Sequence, residues 1–453
     1  MLRLSRYLAI SEPFVQTGEE TARRLIFSTR SLQTLLIAGG LWDKLVESDF
    51  GAIPADFLSL LRSHLILVDE TVDELSTVIR TSRAAIAGTR TLYECIQPTG
   101  FCNFGCAYCG QDHAHVRLRP RDQTLLVDRV AKRLGSIRDD ACRYELLRVG
   151  WFGGEPLAAI DIIRKLSRSL QDIARQHGCA YDAHIVTNGF GLVPAIAREL
   201  VLDLGVTEIE LTLDGPAHEH DRRRVTSKQG KTFERIYQNL EGLLALDLPV
   251  DVSIRCNVDR YNCHAIPELI DRVAALPSRD RLRLYFAPIH DWGNDASQTA
   301  IAVDEYAELE IEWMALMLRK GLAAALIPAA KPIVCMAVNP HAELIDPFGQ
   351  TFNCTEVSLV PAYGSPNVYA RGTLSQERTS QPADMLANFL HKVEDKQFGC
   401  ANCPMLPVCG GACPKQWESG KAPCPSAKRN ISDRLLLAYA ASQMTARGHE
   451  RAL

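Results

Sequence analysis

The chain has 453 residues, enough for two or three domains, and its 47% hydrophobic and 23% charged composition is that of a soluble globular protein. A formal net charge of −4 gives no electrostatic footprint for nucleic acid, so no nucleic-acid partner is expected. No signal-type N-terminus and no run of about 20 apolar residues is found, which predicts a cytoplasmic protein with no membrane partner.

Residues 1–90 contain no cysteine and no constellation of catalytic type. Their pattern predicts a strand at 21–28, short helices at 31–37 and 41–46, a helix at 54–63 opened by Pro54, and a strand at 65–69. That order resembles the small winged-helix-like module, related to the peptide chaperone of pyrroloquinoline-quinone synthesis, that binds leader peptides in many peptide-modifying enzymes. Such a module takes its ligand as an added strand on an exposed sheet edge. A structural cap on the next domain is the alternative reading.

From about residue 91 to 302 short apolar strands alternate with helical patterns. Strands are predicted at 92–97, 146–152, 183–187, 208–213, 250–257 and 281–288, with helices at 125–134, 160–176, 193–203, 233–246 and 264–275. The alternation implies βαβ units in an α/β fold, and six strands suit a partial (β/α)6 TIM-like barrel with ligands at the C-terminal strand ends. Chemistry-bearing residues fall at those ends. Residues 99–111 follow the first strand, Gly153-Gly154-Glu155-Pro156 the second, Thr187-Asn188-Gly189 the third and Asp214-Gly215-Pro216 the fourth.

Within 99–111 stand Cys102, Cys106 and Cys109, spaced Cys-x3-Cys-x2-Cys, with Tyr108 just before the third. Three thiolates on a four-iron cluster leave one iron open to a small molecule, whereas a closed site needs a fourth ligand, for which His113 and His115 are the nearby candidates. The triad resembles the signature of the radical S-adenosylmethionine (SAM) superfamily. That resemblance implies a [4Fe–4S] cluster on Cys102, Cys106 and Cys109. It also implies SAM chelated to the open iron and cleaved by one electron to a 5′-deoxyadenosyl radical, a step that no protein side chain supplies. In that family a Gly-Gly-Glu-Pro segment, here 153–156, contacts the amino group of SAM, the glycines allowing close backbone approach. Its alternative is a strand-to-helix turn with Pro156 at the first helical position. Asn188 and Asp214 are candidates for the ribose hydroxyls or for turn formation. Arg255 and Asn257, alternating with Ile254 and Cys256, are candidates to face SAM or substrate, or to line a salt-bridged interior. The stretch Leu213-Asp214-Gly215-Pro216 with His220, Asp221 and Arg224 resembles that of peptide- and protein-modifying members.

A helix predicted at 303–322, in a bridging segment 303–330, leads to a second cysteine-rich region, 331–453. There Cys335 and Cys354 precede Cys400-x2-Cys403-x5-Cys409-x3-Cys413 and Cys424. The layout resembles the SPASM domain, which implies two auxiliary [4Fe–4S] clusters and fits paired zinc ribbons poorly. By resemblance Cys400, Cys403, Cys409 and Cys424 hold one cluster. Cys335, Cys354 and Cys413 hold the other, one ligand short, with His341, Glu343 and Asp346 as possible substitutes. Cys95, Cys142, Cys179, Cys256 and Cys263 read as small buried hydrophobes.

The implied function is a radical SAM maturase of a ribosomally made precursor peptide. It would bind a leader segment, take electrons from a donor such as flavodoxin or ferredoxin, and form an intramolecular crosslink (thioether or C–C). An anaerobic sulfatase maturase, which makes formylglycine, is the nearest alternative. Those enzymes carry an aspartate base directly after the cysteine that is Cys354 here, whereas this chain has Thr355 and then Glu356, which makes Glu356 a candidate catalytic base. A non-catalytic iron–sulfur electron carrier is the alternative from another class.

Overall fold

The structure, a computed structural model, describes residues 1–16, 20–136, 143–290, 296–376 and 386–450; the side chains of 297 and 445–450 are not part of the description. The N-terminal module contains β1 (Leu2–Leu4), β2 (Leu8–Ile10), β3 (Arg23–Ser28), β4 (Thr34–Ala38), α1 (Gly39–Val46), α2 (Ala55–Ser63), β5 (Leu67–Asp69) and α3 (Glu74–Ala87). β2, β3 and β4 form an antiparallel sheet, and β1 pairs with β5. Ile26, Ile37, Leu45, Leu61 and Ile66 form the module's core. One element differs in type from the sequence pattern. The expected helix at 31–37 is a turn, with Leu32 in the left-handed region (φ 62°), followed by strand β4. A short apolar run such as Leu35-Leu36-Ile37 has no periodicity to separate helix from strand, and the tight turn lets it complete a ladder with β3. β4 is left as an edge of that sheet.

The central α/β part follows the predicted alternation closely. It comprises β6 (Thr91–Ile96), α4 (Pro120–Gly135), β7 (Leu146–Trp151), α5 (Ile160–Gln176), β8 (Ala180–Thr187), α6 (Pro194–Leu202), β9 (Val206–Thr212), α7 (Ala217–Arg223), α8 (Phe233–Leu244), β10 (Asp251–Val258), α9 (Ile266–Ala274) and β11 (Leu282–Pro288). β6 to β11 are parallel neighbours in sequence order. Their burial alternates. In β10 Val252, Ile254, Cys256 and Val258 are buried against the helices, while Ser253, Arg255 and Asn257 point to the other face. That inner face carries further polar groups, with Arg148, His184, Glu210 and Tyr285 on neighbouring strands.

The last part comprises α10 (Val303–Arg319), β12 (Ala342–Ile345), β13 (Gln350–Phe352), β14 (Gly372–Thr373), α11 (Phe389–Glu394), α12 (Leu406–Cys409), α13 (Pro414–Glu418) and α14 (Ala427–Glu450). β12 adds parallel to β6, so one nine-stranded sheet runs from the barrel into the cysteine-rich region. A buried charge cluster locks this joint. Glu94 and Glu343 occupy paired register positions on β6 and β12; Arg129 holds Glu343 bidentately (2.7 and 2.9 Å) and Arg133 donates to Glu94. Burial of the two adjacent carboxylates pushes Glu94 up to about 7. Arg434 of α14 pairs with Glu310 of α10 at 2.6 Å, also buried. Among the described residues no helix is long and apolar enough to cross a membrane.

Candidate functional site

Residues 99–109 form a loop at the C-terminal end of β6, tied down on both sides. Thr99 Oγ1 donates to the Val116 carbonyl (2.7 Å) and Gly100 N–H to the same oxygen (3.0 Å). The second half pairs with 223–227: Ser227 N–H donates to Asn103 O (2.9 Å), Gly105 N–H to Val225 O (2.9 Å) and Ala107 N–H to Arg223 O (3.3 Å). Cys102, Cys106 and Cys109 project from this loop, all as free thiols. Burial pushes the Cys102 thiol up to about 12 and raises Cys106 and Cys109, while the neighbouring Arg224 guanidinium opposes the rise at all three. Among the described residues no three His, Cys, Asp or Glu side chains converge tightly enough for a single metal ion. Of the two histidines considered as a fourth ligand, His113 Nε2 lies 3.4 Å from Cys109 Sγ, and His115 packs at a tilt against Phe101 (centroids 4.6 Å apart).

The turn after β7 needs both its glycines, though backbone packing already explains them. Gly153 has φ +120°, and a Cβ there would lie 2.7 Å from Thr99 O; at Gly154 it would lie 2.4 Å from both Gly100 O and Phe101 O. Glu155 is 3% exposed and its carboxylate is fully engaged. It accepts from Thr187 Oγ1 (2.7 Å), Asn188 N–H (2.7 Å) and Leu157 N–H (2.9 Å), and burial raises its pKa. The side chain therefore fixes the β7 and β8 ends together, and since Gly154 N–H is donated to Thr99 O (3.2 Å), the carbonyls of Gly153 and Gly154 are the groups of this segment left for a ligand. Pro156 opens a short 3-10 turn, as its fixed φ suits.

Asn188 sits beside the triad: its Nδ2 donates to Asn103 Oδ1 (2.8 Å) and lies 3.9 Å from Cys102 Sγ. Asp214 is fully buried and held within the chain. It accepts from the Tyr108 hydroxyl, Asn257 N–H (2.8 Å) and Asn257 Nδ2 (3.2 Å), and lies 3.8 Å from Arg224. Those partners saturate the carboxylate, so it clamps the triad loop to β10. Arg255 donates through Nε to Asn257 Oδ1 (2.8 Å), and Glu210, Glu356 and Tyr285 sustain its charge within the polar inner face. The pair of Tyr285 hydroxyl and Glu210 (2.7 Å) was not singled out from sequence; the polar alternation along β9 and β11 was its signal.

The C-terminal cysteines fall into two groups. Cys400, Cys403, Cys409 and Cys424 together line one cavity of about 200 Å³, closed by Met405, Leu406 and Trp417. Cys335 and Cys413 each press on the Cys354 thiol electrostatically, which burial first raises. Neighbouring Glu356 acts electrostatically on Cys354 and also on Cys109 and Arg255, so its charge is felt at both the triad loop and the second thiol group. The three substitutes considered for a fourth ligand are committed elsewhere. His341 bonds the Tyr144 hydroxyl (2.8 Å), Glu343 is held by Arg129, and Asp346 accepts from Phe348 and Gln350 N–H (2.9 and 2.8 Å). Cys95 and Cys256 are buried as expected; Cys179 and Cys263 are only partly so, and Cys142 lies outside the described residues.

Residues 96–273, which include the triad and the glycine turn, match the model of the radical SAM superfamily. The chain carries a radical SAM domain. Enzymes of this superfamily bind SAM and a [4Fe–4S] cluster. The donor set here fits that group: three thiols on one constrained loop, with the carbonyls of the Gly153-Gly154 turn beside them. The chain is 29% identical over 183 residues to an S-adenosylmethionine-dependent nucleotide dehydratase of a Fibrobacter species, covering 39% of this chain and 50% of the relative. It thus spans about half the length of that curated relative. It is 22% identical over 359 residues to a serine-type anaerobic sulfatase-maturating enzyme of Bacteroides thetaiotaomicron, covering 72% of this chain and 83% of the relative. Its fold is similar to that of the structure of native anSMEcpe with bound AdoMet and a Cp18Cys peptide, with a TM-score of 0.57 and 16% identity over 78% of this chain and 99% of that one.

Proposed function

We propose that this radical SAM enzyme is a peptide maturase that modifies a ribosomally made precursor peptide, forming an intramolecular thioether or C–C crosslink. The observation that carries the reading is that Glu356 acts electrostatically on Cys109 of the triad loop, on Arg255 and on Cys354 of the second thiol group, which puts one carboxylate within range of both groups of cysteines. When bound at Cys102, Cys106 and Cys109, the cluster and SAM supply a carbon radical able to take a hydrogen atom from an unactivated carbon. The chain's own residues do the rest. The backbone carbonyls of Gly153 and Gly154 would hold the SAM amino group, Asn188 and Arg255 would orient its polar ends, and the half-buried polar wall of β9 to β11 would limit access of bulk water. Glu356 takes the proton released when the substrate bond closes.

Two auxiliary [4Fe–4S] clusters belong to this reading. Cys400, Cys403, Cys409 and Cys424 would hold one, and the shared cavity supports that assignment. Cys335, Cys354 and Cys413 would hold the other, with its fourth position open to substrate, which the engagement of His341, Glu343 and Asp346 supports. These clusters would form the SPASM domain (331–453), reached through 303–330 from the barrel (91–302). Residues 1–90 would bind the leader by pairing a peptide strand along the free edge of β4. Flavodoxin or ferredoxin is the proposed class of electron donor.

A second reading, formylglycine formation on a protein substrate, is favoured by the similarity to the sulfatase-maturating enzyme over most of its length. Co-expression with a short peptide encoded beside this chain, followed by mass spectrometry, tests both. A loss of two hydrogens with a crosslinked fragment supports the maturase, and an aldehyde on a cysteine or serine of a sulfatase-type peptide supports the second reading.

A further inference from the structure

Arg224 belongs to the segment that resembles peptide-modifying relatives, yet nothing in the proposed reaction uses it. Its position follows from the backbone ladder between 103–107 and 223–227. Gly105 faces Val225, Ala107 faces Arg223, and Phe104 faces Thr226 in an antiparallel bridge. That register sets Arg224 opposite Cys106 at a non-hydrogen-bonded position, where opposed side chains leave the same face with Cβ atoms about 4.5–5.5 Å apart. The rest of the side chain stays on that face. Its Nη1 donates to the Tyr108 hydroxyl (2.5 Å) and its guanidinium lies 5.6 Å from the Phe104 ring centroid, both residues being two places from Cys106. Arg224 is 7% exposed, and its Nε has no hydrogen-bond partner among the described residues. The main chain is pinned as well, since Arg224 N–H donates to His220 O (2.8 Å) and Arg224 O accepts from Thr232 Oγ1. Asp214, at 3.8 Å, spends its carboxylate on Tyr108 and Asn257, so it offsets this charge only in part.

We propose that Arg224 is a charge-positioning residue of the Cys102, Cys106 and Cys109 site, making the iron–sulfur group held there easier to reduce. The proposal rests on the radical SAM reading. A thiolate-bound [4Fe–4S] group becomes more negative by one unit when it accepts one electron from reduced flavodoxin, ferredoxin or dithionite, which is oxidised by the same electron. A fixed buried cation beside it stabilises the more negative state, and low local dielectric strengthens the effect.

The test uses the full reconstituted chain in three forms, wild type, Arg224→Met and Arg224→Lys, titrated with dithionite while the triad's electron paramagnetic resonance signal is followed. That signal is the one absent when Cys102, Cys106 and Cys109 are replaced by alanine. The midpoint should move to more negative potential in Arg224→Met and stay near wild type in Arg224→Lys, with the signals of other clusters unmoved. Should Arg224→Met fail to hold iron at the triad while Arg224→Lys holds it at a near-wild-type midpoint, the requirement for charge stands. Identical behaviour of the two variants, whether both keep the wild-type midpoint or both lose the signal, overturns the proposal and leaves Arg224 a packing residue. Absence of any triad-dependent signal in the wild type would instead overturn the radical SAM reading itself.

Discussion

Replacing Gly154 by alanine tests whether the turn after β7 and the triad loop form one rigid unit. The added Cβ would stand 2.4 Å from Gly100 O and Phe101 O and 2.6 Å from Phe101 C, all main-chain atoms. Reaching even a tight contact requires the 100–101 backbone to retreat by about 0.6 Å or more, which rotamer changes cannot supply. That backbone is held by Gly100 N–H to Val116 O (3.0 Å), Glu155 N–H to Phe101 O (2.8 Å) and Gly154 N–H to Thr99 O (3.2 Å). Stretching two of these at about 1 kcal/mol each, with about 1–3 kcal/mol of local strain, gives a cost of roughly 3–5 kcal/mol. Gly191→Ala is the control, since its Cβ would meet Leu157 Cβ at an ordinary 3.7 Å. Thermal unfolding and iron content of the reconstituted proteins are the assays. Gly154→Ala should unfold at a clearly lower temperature and lose the triad's share of iron, while Gly191→Ala stays close to wild type in both. A Gly154→Ala protein with wild-type stability and iron would refute the close packing on which this geometry rests.

Glu155→Ala should abolish measurable SAM binding in equilibrium dialysis, because it strands Thr187 Oγ1 and the N–H groups of Asn188 and Leu157 in a buried place, costing roughly 2–5 kcal/mol; binding within twofold of wild type would mean the carboxylate is dispensable. His184 is held neutral by burial, with its pKa lowered to about 4, so the unfolded chain takes up a proton near pH 6.5 that the folded protein refuses until about pH 4. Its contribution to stability is complete above pH 6.5 and is lost as the pH falls towards 4, up to roughly 3 kcal/mol, and denaturant unfolding of His184→Phe should show a shallower acid slope than wild type; parallel slopes would contradict this. Replacing Cys400 and Cys403 by alanine should remove about one cluster's iron and leave the triad's resonance signal in place, whereas loss of all iron would show that the cysteine groups do not load independently.

The central strands were legible because β-branched and aliphatic residues alternate with polar ones, and the helices between them carry amphipathic spacing that a parallel sheet requires. Elements that depend on a distant partner were not. β12 is four residues long and becomes a strand by adding to β6, some 250 residues earlier in the chain. α3 did carry a local start signal, Asp73 accepting from Ser76 N–H at 3.1 Å, but its buried Glu74 is explained by distant partners, the Ser5 hydroxyl, Arg6 N–H and the guanidinium groups of Arg3 and Arg30. At the site, the spacing of the triad and the Gly-Gly-Glu-Pro turn were each legible as a unit. Local pattern could not reveal that the carboxylates of Glu155 and Asp214 face inward, or that the ladder between 103–107 and 223–227 sets Arg224 against Cys106. Both depend on segments brought together by the sheet.

The central claim is that Cys102, Cys106 and Cys109 support reductive cleavage of SAM. Its most direct measurement is 5′-deoxyadenosine formed anaerobically from SAM and dithionite by the reconstituted full chain, compared with the variant in which all three cysteines are alanine. The wild type should release 5′-deoxyadenosine and methionine in equal amounts, and the variant none above background while retaining the iron of its other cysteine groups. Undiminished 5′-deoxyadenosine from the variant would contradict the account.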